Sequence, residues 1–149
     1  MKRHTLVVGM AVGLLVLAVA GSATARIDPR FDAAESYLRY VNTGEYRKAY
    51  DLLDWEITFD DFVARVEASN RGFADSLKEN GIALVSKKID RIDPMTFEDK
   101  YIIVSVRSHV VGRRGAENLE EDVFYQVYFR FNDKGRIDLV HSIGEGWIC

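Results

Sequence analysis

The hydrophobic period of the chain changes at Asn80-Gly81, and this change constrains the fold more than any other feature of the sequence. Before it, apolar residues recur every three or four positions, which is the spacing of amphipathic helices. After it, apolar and polar residues alternate, which is the period of half-buried strands. A helical half followed by a strand half predicts an α+β domain, in which N-terminal helices pack on an antiparallel sheet of about four strands.

Three helices are predicted in the first half. The first begins at Asp28-Pro29, where a capping residue precedes a first-turn proline. The second is short and covers residues 46–53. The third begins at residues 58–61, which have the spacing of a capping box. Gly72 is expected to weaken its continuation, and Asn80-Gly81 ends the helical region.

The strands are predicted over residues 82–92, 101–111, 121–131 and 136–143. Pro94 is expected to break the first strand, because proline cannot donate a ladder hydrogen bond. Residues 112–115 and 132–135 are predicted as the hairpin turns, since both segments are rich in turn-forming residues.

The last hairpin allows the strand register to be predicted. A three-residue loop that ends on Gly135 puts His141 opposite Val127 on the apolar face, and Arg130 opposite Asp138 on the other. The remaining apolar pairs are then Phe131–Ile137, Phe129–Leu139 and Tyr125–Ile143. A slip of one residue would place phenylalanines across from charged residues, so the pattern predicts a twisted sheet with one covered face.

Residues 1–25 have the pattern of an export signal. A basic start, Lys2-Arg3-His4, precedes an apolar run from Leu6 to Ala20, and Ala23-Thr24-Ala25 is a small-x-small cleavage site. An uncleaved membrane anchor is the alternative, but the run of about 15 residues is shorter than the roughly 20 that cross a bilayer. We therefore expect a periplasmic or secreted protein whose mature chain, residues 26–149, is one domain without stable membrane insertion.

Charge and cysteine content narrow the function classes. Residues 1–25 hold two of the 20 Lys and Arg and none of the 23 Asp and Glu, so the remaining chain has 18 basic against 23 acidic residues and a net charge of −5. This balance argues against nucleic-acid binding, which needs a basic face. Cys149 is the only cysteine, so no intramolecular disulfide forms, and a free thiol and an intermolecular bridge both remain open.

Two segments resemble nuclear transport factor 2-like domains of the cystatin-like α+β cone type. Residues 43–53, TGEYRKAYDLL, are similar to a helix of that superfamily, and residues 124–137 are similar to its final hairpin. The resemblance implies a strongly bent sheet that wraps around the helices as a cone, either open to a ligand or filled by side chains. Members include isomerases, dehydratases, cyclases, transport factors and domains that only bind, so this fold leaves the function open.

His141 is the most informative polar residue under the predicted register. On the apolar face it is either a general base or ligand contact, or a core-edge histidine hydrogen-bonded to its surroundings. No carboxylate is predicted on an inward position of the last three strands, and no histidine spacing suits zinc. We therefore assign no catalytic residue, no metal ligand and no cofactor.

Three functions follow as hypotheses. The first is a non-catalytic domain that binds a small apolar ligand or a protein partner, with Trp55, Tyr125, His141 and Trp147 as the pocket residues. The second is a cofactor-free isomerase, dehydratase or cyclase that uses His141 as its base. The third is a homodimer formed through the outer sheet face, where Phe124, Gln126, Tyr128 and Val140 are expected.

Overall fold

The structure is a computed structural model that describes residues 28–143, with the side chain of Ile143 excluded. Its helices are α1 (Pro29–Thr43), α2 (Tyr46–Tyr50) and α3 (Phe59–Glu79), and its strands are β1 (Ala83–Phe97), β2 (Tyr101–Arg114), β3 (Glu117–Phe131) and β4 (Ile137–Ile143). The strands form one antiparallel sheet in the order β1-β2-β3-β4. The predicted α+β fold is therefore confirmed.

Three predictions concern residues outside the described range. These are the export signal over residues 1–25, the pocket role of Trp147 and the state of the Cys149 thiol. Within residues 28–143, no helix is long and apolar enough to cross a membrane.

The start of α1 is fixed as the sequence predicts. The Asp28 carboxylate caps the helix by accepting from the backbone N–H of Arg30 at 2.9 Å, and Pro29 occupies the first turn. The Arg30 guanidinium also donates to the Asp28 carboxylate, and it donates to the backbone carbonyls of Glu98 and Asp99 in the β1–β2 turn. This arginine therefore ties the first helix to the first hairpin.

α3 runs without interruption from Phe59 to Glu79, so the helix continues past Gly72, where its continuation was expected to be weaker. Thr58 caps it by accepting from the backbone N–H of Asp61 at 3.1 Å. Phe62, Val66 and Phe73 lie along one buried face. Burial of this face outweighs the cost of about 1 kcal/mol that an internal glycine brings.

β1 continues past Pro94 to Phe97, so the predicted break there is also wrong. β1 is an edge strand, where a proline can face away from the ladder. The register of β1 against β2 shifts at three places, near Val85, Asp90 and Met95. Such bulges bend a strand and increase its twist. Repeated along 15 residues, they curve the sheet around the helices.

Gly112 lies in β2 and not in the turn that was predicted over residues 112–115. The turn is tighter, because Arg114 pairs directly with Glu117 and Gly115 takes a positive φ of 60°. A Cβ on Gly112 would lie only 2.5 Å from Cγ2 of Ile82. Glycine at this position therefore lets the chain that enters β1 pass close to β2.

The predicted register of the last hairpin holds at its turn and fails further along. Phe131 pairs with Ile137 as expected, and Arg130 and Asp138 form the predicted ion pair at 2.8 Å. A bulge then sets both Asp138 and Leu139 opposite Arg130.

The bulge changes which β4 residues face inward. Val140 pairs with Phe129 and packs against the core, and Leu139 is exposed instead. His141 pairs with Tyr128, not with Val127, so its predicted place on the apolar face is wrong. The prediction that Val140 lies on the outer face is wrong for the same reason.

The core lies between the helices and the inner face of β2 and β3. Ile102, Val104 and Val106 of β2 are completely buried, and Tyr37 of α1 contacts Phe129 of β3 edge to face at 5.8 Å. Residues 52–54 close the open edge of β4 through backbone hydrogen bonds with Ile137. The sheet and the helices therefore share one continuous core.

Replacing Asp28 by asparagine is expected to remove a charge while keeping the helix cap. Hydrogen bonds from Arg30 lower the pKa of the Asp28 carboxyl below its ordinary value of 3.8. A carboxyl whose pKa is lowered in the folded state stabilises the fold at any pH above its ordinary pKa. This stabilisation is lost as the pH falls through the lowered pKa. We expect Asp28→Asn to cost about 1 kcal/mol at neutral pH and nearly nothing in strong acid. Urea unfolding across this pH range tests it, and a cost that does not change with pH would contradict it.

Deleting Asp138 is expected to be tolerated, because it removes the bulge and leaves every inward residue of β4 inward. Only an exposed ion pair with Arg130 is lost, and such pairs contribute little. Thermal unfolding followed by circular dichroism measures the effect. Deleting Tyr128 is the matched control. No bulge lies at this position of β3 to absorb the loss of one residue, so the deletion would turn Val127 and Tyr125 outward. A severely destabilised Asp138 deletion variant would contradict the prediction, because it would indicate a regular hairpin without the bulge.

Candidate functional site

An open cavity of about 610 Å³ lies between the helices and the inner sheet face. Its apolar lining comes from both layers: Leu38 and Val41 of α1, Phe62 and Val66 of α3, and Leu84, Ile89 and Val127 of the sheet. Its volume falls within the range of about 300–1,000 Å³ that small-molecule sites occupy.

One end of the cavity is aromatic and apolar. The Trp55 ring packs against Phe62 at 6.3 Å, and Phe62 in turn contacts Tyr50 and Tyr37. The Trp55 Nε1–H is buried and has no hydrogen-bond acceptor among residues 28–143. An apolar molecule would meet a preformed wall of rings here, because these side chains hold one another in place.

The other end carries a cation among aromatic rings. Lys87 of β1 places its ammonium 4.5 Å from the ring centroid of Phe73 and 5.3 Å from that of Tyr125. The Tyr125 hydroxyl lies 3.4 Å from the hydroxyl of Ser108, which is completely buried behind it. Phe73 and Phe62 are eleven residues apart on α3, so the two ends are separated by about 16 Å along the helix axis.

The cavity mouth is polar and carries no negative charge within the described chain. The exposed residues that line it are Arg65, Asn70 and His141, and the pairing of His141 with Tyr128 turns its side chain toward the outer face. No aspartate or glutamate of residues 28–143 lines any part of the cavity. Arg65 has no carboxylate within 4 Å in the same range, so its charge faces the mouth uncompensated by a neighbour.

The structure brings together three of the four predicted pocket residues. Trp55, Tyr125 and His141 all line the cavity, and Trp147 lies outside the described residues. Tyr125 is buried and points inward from β3. His141 is exposed, in keeping with its pairing to Tyr128 of the outer face.

The residues predicted for a dimer share the outer face of the sheet. Phe124, Gln126 and Tyr128 alternate with the buried residues of β3, and Phe124 is 67% exposed. Tyr128 stacks on Tyr101 of β2 with ring centroids 5.1 Å apart. This face therefore carries the exposed ring of Phe124 and the Tyr101–Tyr128 pair among polar neighbours such as Arg107 and Ser105.

Sequence reasoning missed the two cations of the cavity. Lys87 lies two residues before Ile89 on β1. Strand alternation puts residues two apart on the same face, and both line the cavity. Arg65 lies three residues after Phe62 and eight before Phe73, a spacing that puts all three on adjacent parts of the same helix face. Both spacings are visible in the sequence, but lysine and arginine are mostly exposed in proteins, so the residue types alone do not indicate a cavity position.

The other titratable cluster lies outside the cavity. His109 on the outer face contacts Asp122 at 3.0 Å and Glu120 at 3.7 Å, and all three side chains are exposed. It shares this face with Ser105 and Arg107, since side chains two apart on β2 point the same way. No group of three or more possible metal ligands occurs among residues 28–143.

Comparison with known proteins adds no assignment. The chain matches no protein-family model, and no curated protein is similar to it at a significant level.

Proposed function

We propose that this chain is an exported, non-catalytic binding domain of the nuclear transport factor 2-like type, which holds a small apolar ligand between its helices and its sheet. The observation that carries the proposal is the open cavity with its mainly apolar lining. The side chains of residues 28–143 do not fill this space. The resemblance of residues 43–53 and 124–137 to that superfamily agrees with this arrangement, and the pattern of residues 1–25 supports export.

Binding accounts for the described lining better than catalysis does. An acid–base enzyme needs a titratable group that is oriented by a partner and reaches into the pocket. His141 lies at the exposed mouth, and no carboxylate of residues 28–143 lines the cavity. The aromatic wall around Trp55 and Phe62 needs only a hydrophobic molecule of matching size.

Filling the cavity is expected to abolish ligand binding. N-phenyl-1-naphthylamine, an uncharged dye that fluoresces in apolar surroundings, serves as the probe. We expect the purified protein to enhance its fluorescence and Ile89→Trp to remove most of the enhancement, because the larger ring occupies the space that Ile89 lines.

Val85→Trp is the matched control, since it makes a similar change on the same strand at an exposed position outside the cavity. Circular dichroism of both variants checks that they are folded. Absence of enhancement by the wild-type protein would contradict the proposal, as would equal enhancement by the Ile89 and Val85 variants.

A second candidate function, self-association through the outer sheet face, is favoured by one observation. Phe124 is 67% exposed on a face that also carries Tyr101 and Tyr128, and apolar patches of this kind commonly mark interfaces. The occupant we propose is a second copy of the chain, since two-fold pairing of one face is the commonest assembly of soluble proteins.

Phe124→Lys is expected to dissociate such a dimer, because it would bring two buried like charges together. Sedimentation velocity of the wild-type protein should show a dimer, and the variant should sediment as a monomer. Ala68→Lys, an equal change of charge on the exposed side of α3, should leave the dimer intact. A monomeric wild-type protein would rule this candidate out.

A further inference from the structure

We infer that the ligand of the cavity carries a neutral hydrogen-bond acceptor on its apolar body, such as a ketone, ester or ether oxygen, and that the Trp55 Nε1–H donates to it. The inference rests on the proposed function, because it names the chemical class that the binding cavity takes. It follows from the burial of this N–H, the fixed position of the indole and the apolar character of its surroundings.

The Trp55 Nε1–H departs from a general rule of protein interiors. Buried donors nearly always have an acceptor, because an unpaired one has lost its hydrogen bond to water and gained none in exchange. This N–H is buried and has no acceptor among residues 28–143. Since Trp55 also lines the cavity, a molecule bound in the cavity can supply the missing acceptor.

The indole is held in position by the segment that precedes it. Residues 51–54 form backbone hydrogen bonds of 2.8 and 3.2 Å with Ile137, and two of their carbonyls accept from the Arg136 guanidinium at 2.7 Å each. The Trp55 ring packs edge to face on Phe62 at 6.3 Å. A donor fixed in this way loses little conformational freedom on binding, which favours a directed hydrogen bond to a ligand.

The surroundings of this N–H favour a neutral acceptor over a charged one. They are aromatic, since Phe62 contacts the indole and Tyr50 contacts Phe62. The Tyr50 hydroxyl donates its one proton to the carbonyl of Ile57 at 2.6 Å, so it is not a second donor for a ligand. A single N–H does not offset the cost of removing a carboxylate from water, whereas it satisfies a ketone or ester oxygen.

Two probes that differ by one oxygen test the inference. 2-Acetylnaphthalene and 2-ethylnaphthalene share the same rings and side-chain length, and each competes with N-phenyl-1-naphthylamine for the intact protein. The ethyl compound is the more hydrophobic, so the quantity compared between proteins is the ratio of the two affinities. We expect Trp55→Phe to shift this ratio against the ketone by about fivefold, as the loss of one neutral hydrogen bond does. The smaller ring affects both probes alike and cancels in the ratio.

Val41→Ala is the matched control. It removes apolar lining of the same cavity without removing a donor, so it should weaken both probes and leave the ratio of their affinities unchanged. Circular dichroism of both variants checks that they are folded.

A spectroscopic measurement reports on the hydrogen bond itself and does not need the Trp55 variant. The chain has two tryptophans, so Trp147→Phe leaves a single indole N–H signal, that of Trp55. In proton–nitrogen correlation spectra we expect saturating 2-acetylnaphthalene to move this proton downfield of its position with saturating 2-ethylnaphthalene, because donation to an oxygen deshields the proton.

Each outcome bears on a different statement. An affinity ratio that Trp55→Phe leaves unchanged would overturn the inference, and the proposed function would stand because both probes displace the dye. The same position of the Trp55 indole proton with both probes would overturn the inference as well. Failure of the dye and of both probes to bind would overturn the inference and the proposed function together.

Discussion

The contact between α1 and the inner face of β3, centred on Tyr37 and Phe129, is the interaction on which the rest of the structure depends. It sets the distance between helices and sheet at one place, and the core spreads from there through Ile102 and Phe62. The same two layers, the helices on one side and the inner sheet face on the other, line the cavity beside this core.

The strand-rich half of the fold was predictable where alternation is strict. Val104, Val106 and Val127 face inward as expected. Successive side chains on a strand point to opposite faces, so this prediction needs only the local sequence. The bulge beside Asp138 was not predictable from this rule. It depends on Val140 burying against the core and on the Arg130–Asp138 ion pair, both of which are tertiary contacts. One additional residue then moved His141 from the apolar face to the exposed one.

The candidate site was predictable in its aromatic residues and not in its charges. Trp55 and Tyr125 are large and apolar, and such residues were expected near the interior wherever it lay. By alternation Lys87 shares a face of β1 with apolar residues. Lysine is rarely buried, however, so its residue type favours an exposed position. Its burial depends on the rings of Phe73 and Tyr125, which lie far from it in sequence and meet it only in the folded chain.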